Sequence, residues 1–307
     1  MTKFPLVSVL MPAFNAGQHI AQAIESVLQQ TYPHFELLIL NDGSTDDTQH
    51  ILDQFDDERI VKIQLTQNRG LVNARNQLVA LAKGDYIAFL DSDDIARPNR
   101  LELQISFLES GQADICGGAH DSLYEDSGKI KLSKQRYSDP DIRALITVCS
   151  PLCNPAVMGK ADVFKNHPYL SGKDCAEDYS LWAELSLAGY RFANLREKLI
   201  TYRIHAKQTS QVLNSETNRI FNETRKNYLI GLGVGGELIP QQMPFKKRLQ
   251  LAFPFMMQLN QKIPGISILA NYEIYARFQF RGNGLLTPLT RLERLLVSAL
   301  ASLRGFF

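Results

Sequence analysis

Residues 84–98 read G-D-Y-I-A-F-L-D-S-D-D-I-A-R-P, and this stretch decides the predicted fold. The apolar run from Tyr86 to Leu90 contains aromatic and β-branched residues and is typical of a strand buried on both faces of a parallel sheet. Carboxylates follow at the end of this strand, and open α/β sheets bind ligands at the carboxyl ends of their strands. In an extended chain, Asp91 and Asp93 would point to the same side. The stretch therefore predicts a central strand that ends in a ligand site.

The acidic cluster at this strand end allows two interpretations. Two carboxylates that point together repel each other unless a cation or a hydrogen-bond donor lies between them. The cations Mg²⁺ and Mn²⁺ prefer oxygen ligands and often bridge to substrate phosphates. Alternatively, the cluster is a solvated turn that caps the following helix, with Asp94 near the N-cap and Pro98 in the first turn. Taken alone, the four residues D-S-D-D favour the solvated turn.

Length and composition restrict the class of protein. A chain of 307 residues is long enough for one large or two modest domains. Its net charge of +1 does not favour a nucleic-acid partner. The four cysteines lack the spacing of a zinc site, which is most simply explained by a reduced, cytosolic protein. No segment approaches about 18 uncharged apolar residues, so we expect no spanning helix.

Strand and helix patterns alternate along roughly the first ninety residues. Apolar runs predict four strands, at 6–11, 36–40, 60–65 and 86–90. Between them, residues with helical period predict helices, the second capped by Ser44 or Thr45 and the third running from about Leu71 to Ala82. Three repeats of strand, turn and helix indicate βαβ units and a mostly parallel sheet. We therefore predict an α/β, nucleotide-binding type of fold for residues 1–110.

The section from 111 to 212 has a mixed pattern. We predict a strand at 113–116 and a hairpin or loop over 124–138. Glu177 and Asp178 begin a predicted helix that ends at Gly189. Adjacent carboxylates at a helix start usually interact with the helix dipole. Because a glycine-containing loop precedes this pair, Asp178 is also a candidate general base presented to a cleft.

No Walker A sequence is present, so a phosphate loop of that type is not predicted. The sequence Gly231-x-Gly233-x-x-Gly236 matches a dinucleotide-binding pattern, but no strand precedes it. We interpret this match as a turn. A bound nucleotide would instead be held through a metal on the carboxylates of the 91–93 segment.

Six motifs together resemble a known family. They are P-A-F-N at 12–15, N-D-G-S-T-D at 41–46, N-R-G-L-V-N-A-R-N at 68–76, D-S-D-D at 91–94, E-D-Y-S-L-W at 177–182 and Y-R-I-H at 202–205. In this order and spacing, the chain resembles the bacterial-type, inverting family-2 glycosyltransferases of the GT-A fold, over roughly residues 5–210. The resemblance implies transfer of a sugar from a nucleotide diphosphate, usually UDP, to an acceptor hydroxyl with inversion at the anomeric carbon.

The resemblance also implies a set of nucleotide-binding residues. Asp42 matches the carboxylate that accepts the uracil N–H, although thymine or guanine also present an N–H. Arg75 would donate to the base or to the phosphates. The remaining implied nucleotide-binding residues are Pro12, Ala13, Asn15, Asn68, Asp91 and Ser92.

A metal site and a catalytic pair are implied as well. Asp93 matches the direct ligand of a divalent cation, Mn²⁺ or Mg²⁺, and His205 matches a histidine that in some relatives contacts the metal or the diphosphate. A lone histidine is more often structural, so both roles stay open for His205. Asp178 matches the catalytic base, and Glu177 beside it would help to bind the acceptor or the donor sugar.

One segment departs from the family pattern. Where relatives often have a glycine-rich turn, this chain reads N-H-P-Y at 166–169, so the identity of the acceptor is not predicted. Trp182, the only tryptophan, is predicted to anchor the core beneath the acceptor site.

The C-terminal region, residues 213–307, is predicted to be mainly helical and basic. After residue 236, nine lysines and arginines face three acidic residues. Its basic and apolar features are Lys246, Lys247, Arg248, Phe253, Phe255, Tyr272, Arg291, Leu292, Arg294, Leu295, Leu296, Leu300 and Arg304. Such helices bind anionic membrane surfaces. The alternative is a helical appendage that packs on the catalytic domain or on another subunit.

The resemblance therefore implies an inverting glycosyltransferase of cell-surface polysaccharide or lipopolysaccharide synthesis. Its expected partners are a UDP-sugar donor and a glycan or lipid-linked glycan acceptor, with no nucleic acid. We expect it in the cytoplasm or peripherally on the inner face of the cell membrane. The alternatives are a retaining or other nucleotide-sugar enzyme on the same sheet, and a catalytically silent nucleotide-sugar binding subunit.

Overall fold

A computed structural model describes residues 4–173, 175–206, 208, 215–235 and 245–280. The described residues form one nine-stranded sheet with helices on both faces. Its strands are β1 (Val7–Ala13), β2 (Phe35–Asn41), β3 (Ile60–Gln64), β4 (Tyr86–Phe89), β5 (Ile95–Ala96), β6 (Ile115–Tyr124), β7 (Lys129–Leu132), β8 (Met158–Lys160) and β9 (Phe192–Ile204). The strand order is β3-β2-β1-β4-β8-β6-β9-β5, and β7 pairs with β6.

The helices alternate with these strands and then continue alone. They are α1 (Ile20–Leu28), α2 (Thr48–Asp53), α3 (Leu71–Leu81), α4 (Arg100–Glu109), α5 (Asp139–Leu145), α6 (Ala161–Asn166), α7 (Glu177–Leu187), α8 (Ser215–Gly231), α9 (Phe245–Lys262) and α10 (Ile268–Phe280). A short 3-10 turn, Asn154–Ala156, precedes β8. The prediction of an α/β fold with a mainly helical C-terminal part is confirmed in the described residues.

The first four strands have the predicted parallel arrangement. β1 lies between β2 and β4, with Val9 opposite both Leu37 and Ala88. Alternate residues of β1 face opposite layers, because successive side chains of a strand point to opposite faces. Val9 packs in the core cluster that contains Ile24 of α1, and Leu10 in the cluster that contains Leu78 of α3. This double burial explains why the strands read as continuous apolar runs.

One local prediction in this half is wrong. Helix α2 begins at Thr48 with Asp47 at the N-cap, so neither Ser44 nor Thr45 caps it. The Ser44 hydroxyl instead accepts the backbone N–H of Asn15 at 2.9 Å. The Ser44 hydroxyl therefore stabilises a contact between two loops and does not cap the helix.

The second half of the sheet is mixed, as predicted. β6 and β9 are parallel, whereas β8 is antiparallel to both β4 and β6. β6 extends well beyond the predicted strand at 113–116, and β7 completes a hairpin within the predicted 124–138 segment. β9 was not predicted, because charged residues interrupt its apolar pattern.

Helix α7 has the predicted position and a buried anchor. It begins at Glu177, and Gly189 follows it with φ +90°. A positive φ favours glycine at this position after a helix. Trp182 is fully buried and lies in the core cluster that also contains Leu78 and Leu10, consistent with the predicted core anchor.

The described C-terminal helices pack on α5. Phe255 and Leu259 of α9 are buried in one cluster with Leu145 of α5. Asp141 of α5 also accepts the backbone N–H and the hydroxyl of Ser267, just before α10. The appendage alternative therefore describes this part of the tail, and Phe255 is a core residue rather than part of an exposed surface.

Some predictions for the tail concern residues outside the described ranges. The predicted membrane-surface residues from 291 to 304 lie outside the described residues, as does Gly236 of the glycine pattern. Gly231 ends α8, and Gly233 follows with φ +65°, which agrees with a turn. Among the described helices, none combines the length and apolarity required to cross a bilayer.

Candidate active site

A cleft of about 820 Å³ opens where the parallel strands end. Strands β1, β2 and β4 deliver their carboxyl-end loops to it, and the end of β9 and the start of α7 close its other side. All twelve site residues predicted from the sequence line this cleft: Pro12, Ala13, Asn15, Asp42, Asn68, Arg75, Asp91, Ser92, Asp93, Glu177, Asp178 and His205. The structure thus brings together residues separated by up to almost two hundred positions.

Asp42 connects the loops after β2 and β3. Its side chain is buried, with one carboxylate oxygen accepting the N–H of Arg69 at 2.8 Å and the other that of Gly70 at 2.9 Å. A carboxylate oxygen has more than one acceptor position. Asp42 can therefore hold the loop and still accept a hydrogen bond from a ligand in the cleft.

The loop after β1 is held to the loop after β2. The side-chain oxygen of Asn15 accepts the N–H of Thr45 at 2.9 Å, while its own N–H donates to Ser44. Asn15 has φ +50°, a conformation that asparagine tolerates better than most residues. These bonds fix the backbone on this side of the cleft.

The acidic strand end is a turn rather than an extended segment. The N–H of Asp94 donates to the carbonyl oxygen of Asp91 at 3.1 Å. As a result, the segment is not extended, and the carboxylates of Asp91 and Asp93 have different partners. Asp91 accepts a hydrogen bond from Arg75 at 3.1 Å, and Asp93 lies 3.0 Å from Nε2 of His205.

Asp94 does not cap the following helix. α4 begins at Arg100 with Asn99 at its N-cap, and Pro98 precedes it. Asp94 is fully buried, and one of its oxygens accepts the backbone N–H of Arg203 at 2.8 Å. Burial, together with the neighbouring carboxylates of Asp93 and Asp91, raises the pKa of Asp94 well above its usual range. The solvated-turn interpretation of D-S-D-D is therefore wrong.

Asp93 and His205 are the two residues predicted to bind a metal ion. In the described part of the chain, no group of three His, Cys, Asp or Glu side chains has the geometry to hold a metal ion. The ring of His19 lies beside that of His205, with centroids 5.3 Å apart. A carboxylate oxygen and an imidazole nitrogen on one side of the cleft suit Mn²⁺ when oxygen atoms from elsewhere complete its coordination.

Asp178 lies in the first turn of α7 and is half-buried in the cleft wall. One carboxylate oxygen accepts a hydrogen bond from the hydroxyl of Ser150 at 3.3 Å, and the other accepts the N–H of Tyr179 at 2.6 Å. Burial and the adjacent carboxylate of Glu177 raise the pKa of Asp178 to about 6. A carboxylate with such a pKa accepts protons near neutral pH more readily than an ordinary aspartate.

Glu177 and Arg75 form a buried ion pair. Nη1 of Arg75 donates to a carboxylate oxygen of Glu177, and both side chains are almost inaccessible to solvent. Burial lowers the pKa of Arg75, but Glu177 and Asp91 outweigh this effect and raise it overall. The guanidinium predicted to face the nucleotide is thus turned toward two carboxylates.

Sequence reasoning missed several residues that line the same cleft. They are Phe14, Ala16, Gln18, His19, Asp46, Leu71, Ala74, Leu152, Cys153, Asn154, Pro155, Cys175, Tyr202 and Gln208. Tyr202 carried a signal, because it belongs to one of the six quoted motifs, as do Phe14, Asp46, Leu71 and Ala74. Ser150, which contacts Asp178, carried none, because its position depends on how the segment after α5 folds back. Within the described residues, none of the four cysteines forms a disulfide.

Comparison with known proteins agrees with this geometry. The sequence profile of the family "Glycosyl transferase family 2" matches residues 8–167. The chain is 34% identical over 256 residues to an uncharacterized glycosyltransferase of Haemophilus influenzae, covering 78% of this chain and 79% of that protein. It is 33% identical over 209 residues to the Escherichia coli UDP-Glc:alpha-D-GlcNAc-diphosphoundecaprenol beta-1,3-glucosyltransferase WfaP, covering 67% of this chain and 80% of WfaP.

Solved structures share the fold at low sequence identity. Staphylococcus aureus TarS residues 1–349, in complex with UDP-GlcNAc, matches with a TM-score of 0.62 and 17% identity over 98% of this chain and 89% of that one. The Pyrobaculum calidifontis mannosyltransferase PcManGT, in complex with GDP-Man and Mn²⁺, matches with a TM-score of 0.54 and 14% identity over 98% and 88%. The sheet has the predicted GT-A fold, and the chain belongs to glycosyltransferase family 2.

Proposed function

We propose that this chain is an inverting glycosyltransferase that moves a sugar from a UDP-sugar to a hydroxyl group of a glycan. One observation carries the proposal: a single cleft joins the Asp93–His205 pair to Asp178, a carboxylate whose pKa of about 6 suits a general base. Diphosphate binding and proton removal are the two tasks that such a transfer requires.

The donor side is suited to a nucleoside diphosphate. Asp42 offers an acceptor for the N–H of a base at the end of β2, and the fixed loop at Asn15 lies next to it. Uracil is favoured because the TarS structure holds UDP-GlcNAc and the name of WfaP specifies UDP-Glc. Guanine also presents an N–H, and PcManGT was solved with GDP-Man.

Asp93 and His205 would hold a divalent cation, Mn²⁺ or Mg²⁺, with oxygen atoms of the diphosphate completing its coordination. Bound there, the ion would neutralise the charge of the departing diphosphate. The mannosyltransferase neighbour was solved with Mn²⁺, which supports the assignment. Asp91 and Ser92 line the cleft beside this pair, near the expected place of the ribose and donor sugar.

The transfer follows as one displacement. Asp178 removes the proton of the acceptor hydroxyl while its oxygen forms a bond to the anomeric carbon. The bond from that carbon to the diphosphate oxygen breaks on the opposite side, and its electron pair leaves with the diphosphate. Attack opposite the leaving group inverts the configuration. The proton resides on Asp178 until solvent removes it.

The acceptor is proposed to be a glycan of cell-surface polysaccharide or lipopolysaccharide synthesis, including lipid-linked glycans. The name of WfaP specifies a diphosphoundecaprenol-linked sugar, which supports this class of acceptor. An enzyme with such an acceptor would act in the cytoplasm at the inner face of the membrane.

The proposal is tested by two variants at the two ends of the cleft. Asp178→Asn keeps the size of the side chain but removes its proton affinity, so transfer should fall by about 10²–10⁴-fold while UDP-sugar still binds. Asp93→Ala should weaken both binding and turnover and abolish any tightening of UDP binding by Mn²⁺. Transfer and titration calorimetry with UDP-glucose and UDP-GlcNAc, in Mn²⁺ and in EDTA, measure these effects.

A matched control separates catalysis from helix capping. Asp162 also lies in the first turn of a helix, α6, but is exposed and does not line the cleft, so Asp162→Asn should leave transfer unchanged. Near-normal transfer by Asp178→Asn would mean that Asp178 only interacts with the helix dipole. Equal UDP affinity of the wild type in EDTA and Mn²⁺ would refute the cation.

The two alternatives have their own readouts. A product that keeps the anomeric configuration of the donor, detected by NMR, would identify a retaining enzyme. A chain that binds UDP-sugar with Mn²⁺ but neither transfers nor slowly hydrolyses it would be a silent binding subunit.

A further inference from the structure

The buried guanidinium of Arg75 connects three elements around the cleft. It projects from α3, and its two terminal nitrogens donate to Glu177 at the start of α7 and to Asp91 after β4. Arg75 is 4% exposed and Glu177 is 5% exposed. A buried ion pair of this kind is costly to break, because removing one partner leaves the other charge without compensation.

The next residue of α3 holds the same region at a second point. The side chain of Asn76 donates to the carbonyl oxygen of Tyr169 at 2.9 Å and accepts its N–H at 2.9 Å. The Arg75 guanidinium lies 5.5 Å from the centre of the Tyr169 ring. Helix α3 therefore holds both ends of the segment that leads from Tyr169 to Glu177.

Between these two attachments the segment passes through two residues with positive φ. Gly172 has φ +75°, and Cys175 has φ +68°, which is unusual for a residue other than glycine. Lys173 makes one ion pair with Glu223 of α8 at 2.8 Å. The Arg75–Glu177 pair therefore joins the first turn of α7, which carries Asp178, directly to α3.

Resting on the proposed function, we propose that Arg75 is a positioning residue for the base: by holding Glu177 it directs Asp178 toward the donor. This differs from the direct contact with the nucleotide that the sequence predicts. The Ser150 hydroxyl supports Asp178 from the other side. Correct alignment matters because a misplacement of about 1 Å costs about 10²-fold in rate.

The same contacts set the charge around the base. Glu177 raises the pKa of Asp178 beyond the effect of burial, and Arg75 lowers it. The titratable and charged groups around Asp178 are Glu177 in its own helix, Arg75 in α3, Asp91 on the far side of Arg75, Cys153 before the 3-10 turn and Tyr169 after α6. Removing the charge of Arg75 should therefore raise the pKa of Asp178, whereas removing the charge of Glu177 should lower it.

The test compares Arg75→Gln with Glu177→Gln at saturating Mn²⁺ and UDP-sugar. Arg75→Gln should lower kcat by about 10–10²-fold while the Kd for UDP-sugar changes less than about threefold. The acidic limb of its kcat/KM profile should move to higher pH, and that of Glu177→Gln to lower pH. Arg75→Lys should recover part of both effects, because it keeps the charge without the second hydrogen bond.

A charge-matched control is Arg59→Gln, which removes an arginine paired with Asp57 on the surface. This variant should change neither kcat nor the acidic limb of the kcat/KM profile. A rise in the Kd for UDP-sugar that accounts for the whole loss of kcat/KM, with the limb unmoved, would make Arg75 a donor ligand instead. Should Arg75→Gln fail to fold in a thermal melt, Glu177→Gln decides: an unmoved or raised limb would overturn the proposal. Full transfer by Asp178→Asn would refute the base itself, independently of Arg75.

Discussion

At the scale of single residues, environment rather than residue type distinguishes Asp178. Asp162 and Asp178 are both aspartates in the first turn of a helix, but Asp162 is exposed and Asp178 lies half-buried beside Glu177. Burial and a neighbouring like charge both penalise the ionised form. The ordinary helix-start carboxylate thus becomes a stronger base in one position and stays a surface group in the other.

The raised pKa of Asp178 predicts how activity depends on pH. Above about pH 6 the group is ionised and can accept a proton, whereas below it the group is protonated and cannot. We expect kcat/KM of the wild type to fall as the pH decreases through about 6, approaching tenfold per unit below it. In Asp178→Asn this limb should vanish from the residual activity. A wild-type profile that stays flat to pH 4.5, with thermal stability unchanged, would contradict the assignment.

At the scale of elements, the side of the cleft that contains Asp42 depends on close packing of the loops after β2 and β3. Gly43 has φ +67°, and a Cβ at this position would lie 2.5 Å from the carbonyl carbon of Gln67 and 2.6 Å from the nitrogen of Asn68. Neither neighbour is a flexible side chain, so the backbone would have to move. The two loops can approach each other, and Asp42 can reach the N–H groups of the second loop, because residue 43 has no side chain.

We predict that Gly43→Ala lowers the free energy of unfolding by more than about 2 kcal/mol, from conformational strain and overpacking together. It should also weaken UDP binding, since Asp42 and Asn68 flank the altered backbone. Gly128 is the matched control: it has φ +63° but open space around it, so Gly128→Ala should cost only about 1 kcal/mol and leave UDP binding unchanged. Urea unfolding and UDP titration measure both. Equal costs for the two variants would refute the packing argument.

At the scale of the whole molecule, the described C-terminal helices form part of the framework behind the cleft. α9 and α10 pack on α5, and the chain runs from α5 directly to Ser150 and the cleft-lining residues that follow. We propose residues 1–110 as the donor half, 111–212 as the acceptor half and 213–307 as the helical basic region. Deleting the third region would uncover the buried apolar face of α5, so a membrane test must leave that packing intact.

The membrane prediction is therefore tested by charge alone. Reversing Lys246, Lys247 and Arg248 to glutamate should weaken binding to liposomes rich in phosphatidylserine by about 10²-fold or more, since each basic residue near the surface contributes roughly 1 kcal/mol. Flotation at low salt, where attraction is strongest, measures the change. The control reverses three exposed lysines elsewhere, Lys62, Lys83 and Lys129, and should bind nearly as the wild type does. If the wild type does not bind such liposomes even at low salt, the tail is a packing or oligomer element.

The sequence by itself determined the α/β class, the four parallel strands and, through the family resemblance, twelve of the residues that meet in the cleft. Each of these depends on a local signal: apolar runs of strand length, a helical period, and carboxylates at strand ends. The strand that ends before Asp91 could be predicted because burial on both faces requires a continuous apolar run. The motif order then indicated the family, since six spaced motifs are far more specific than one.

Only the tertiary structure decided which of these groups touch. Arg75 pairs with Glu177, 102 positions along the chain, and Ser150 meets Asp178 across the cleft wall. The parallel pairing of β9 with β6 and the burial of Phe255 under α5 were likewise absent from any local pattern. Such contacts join segments that are distant in sequence, and their partners are selected by packing and charge compensation over the whole fold. Local periodicity reports how a segment is buried, but it does not specify what buries it.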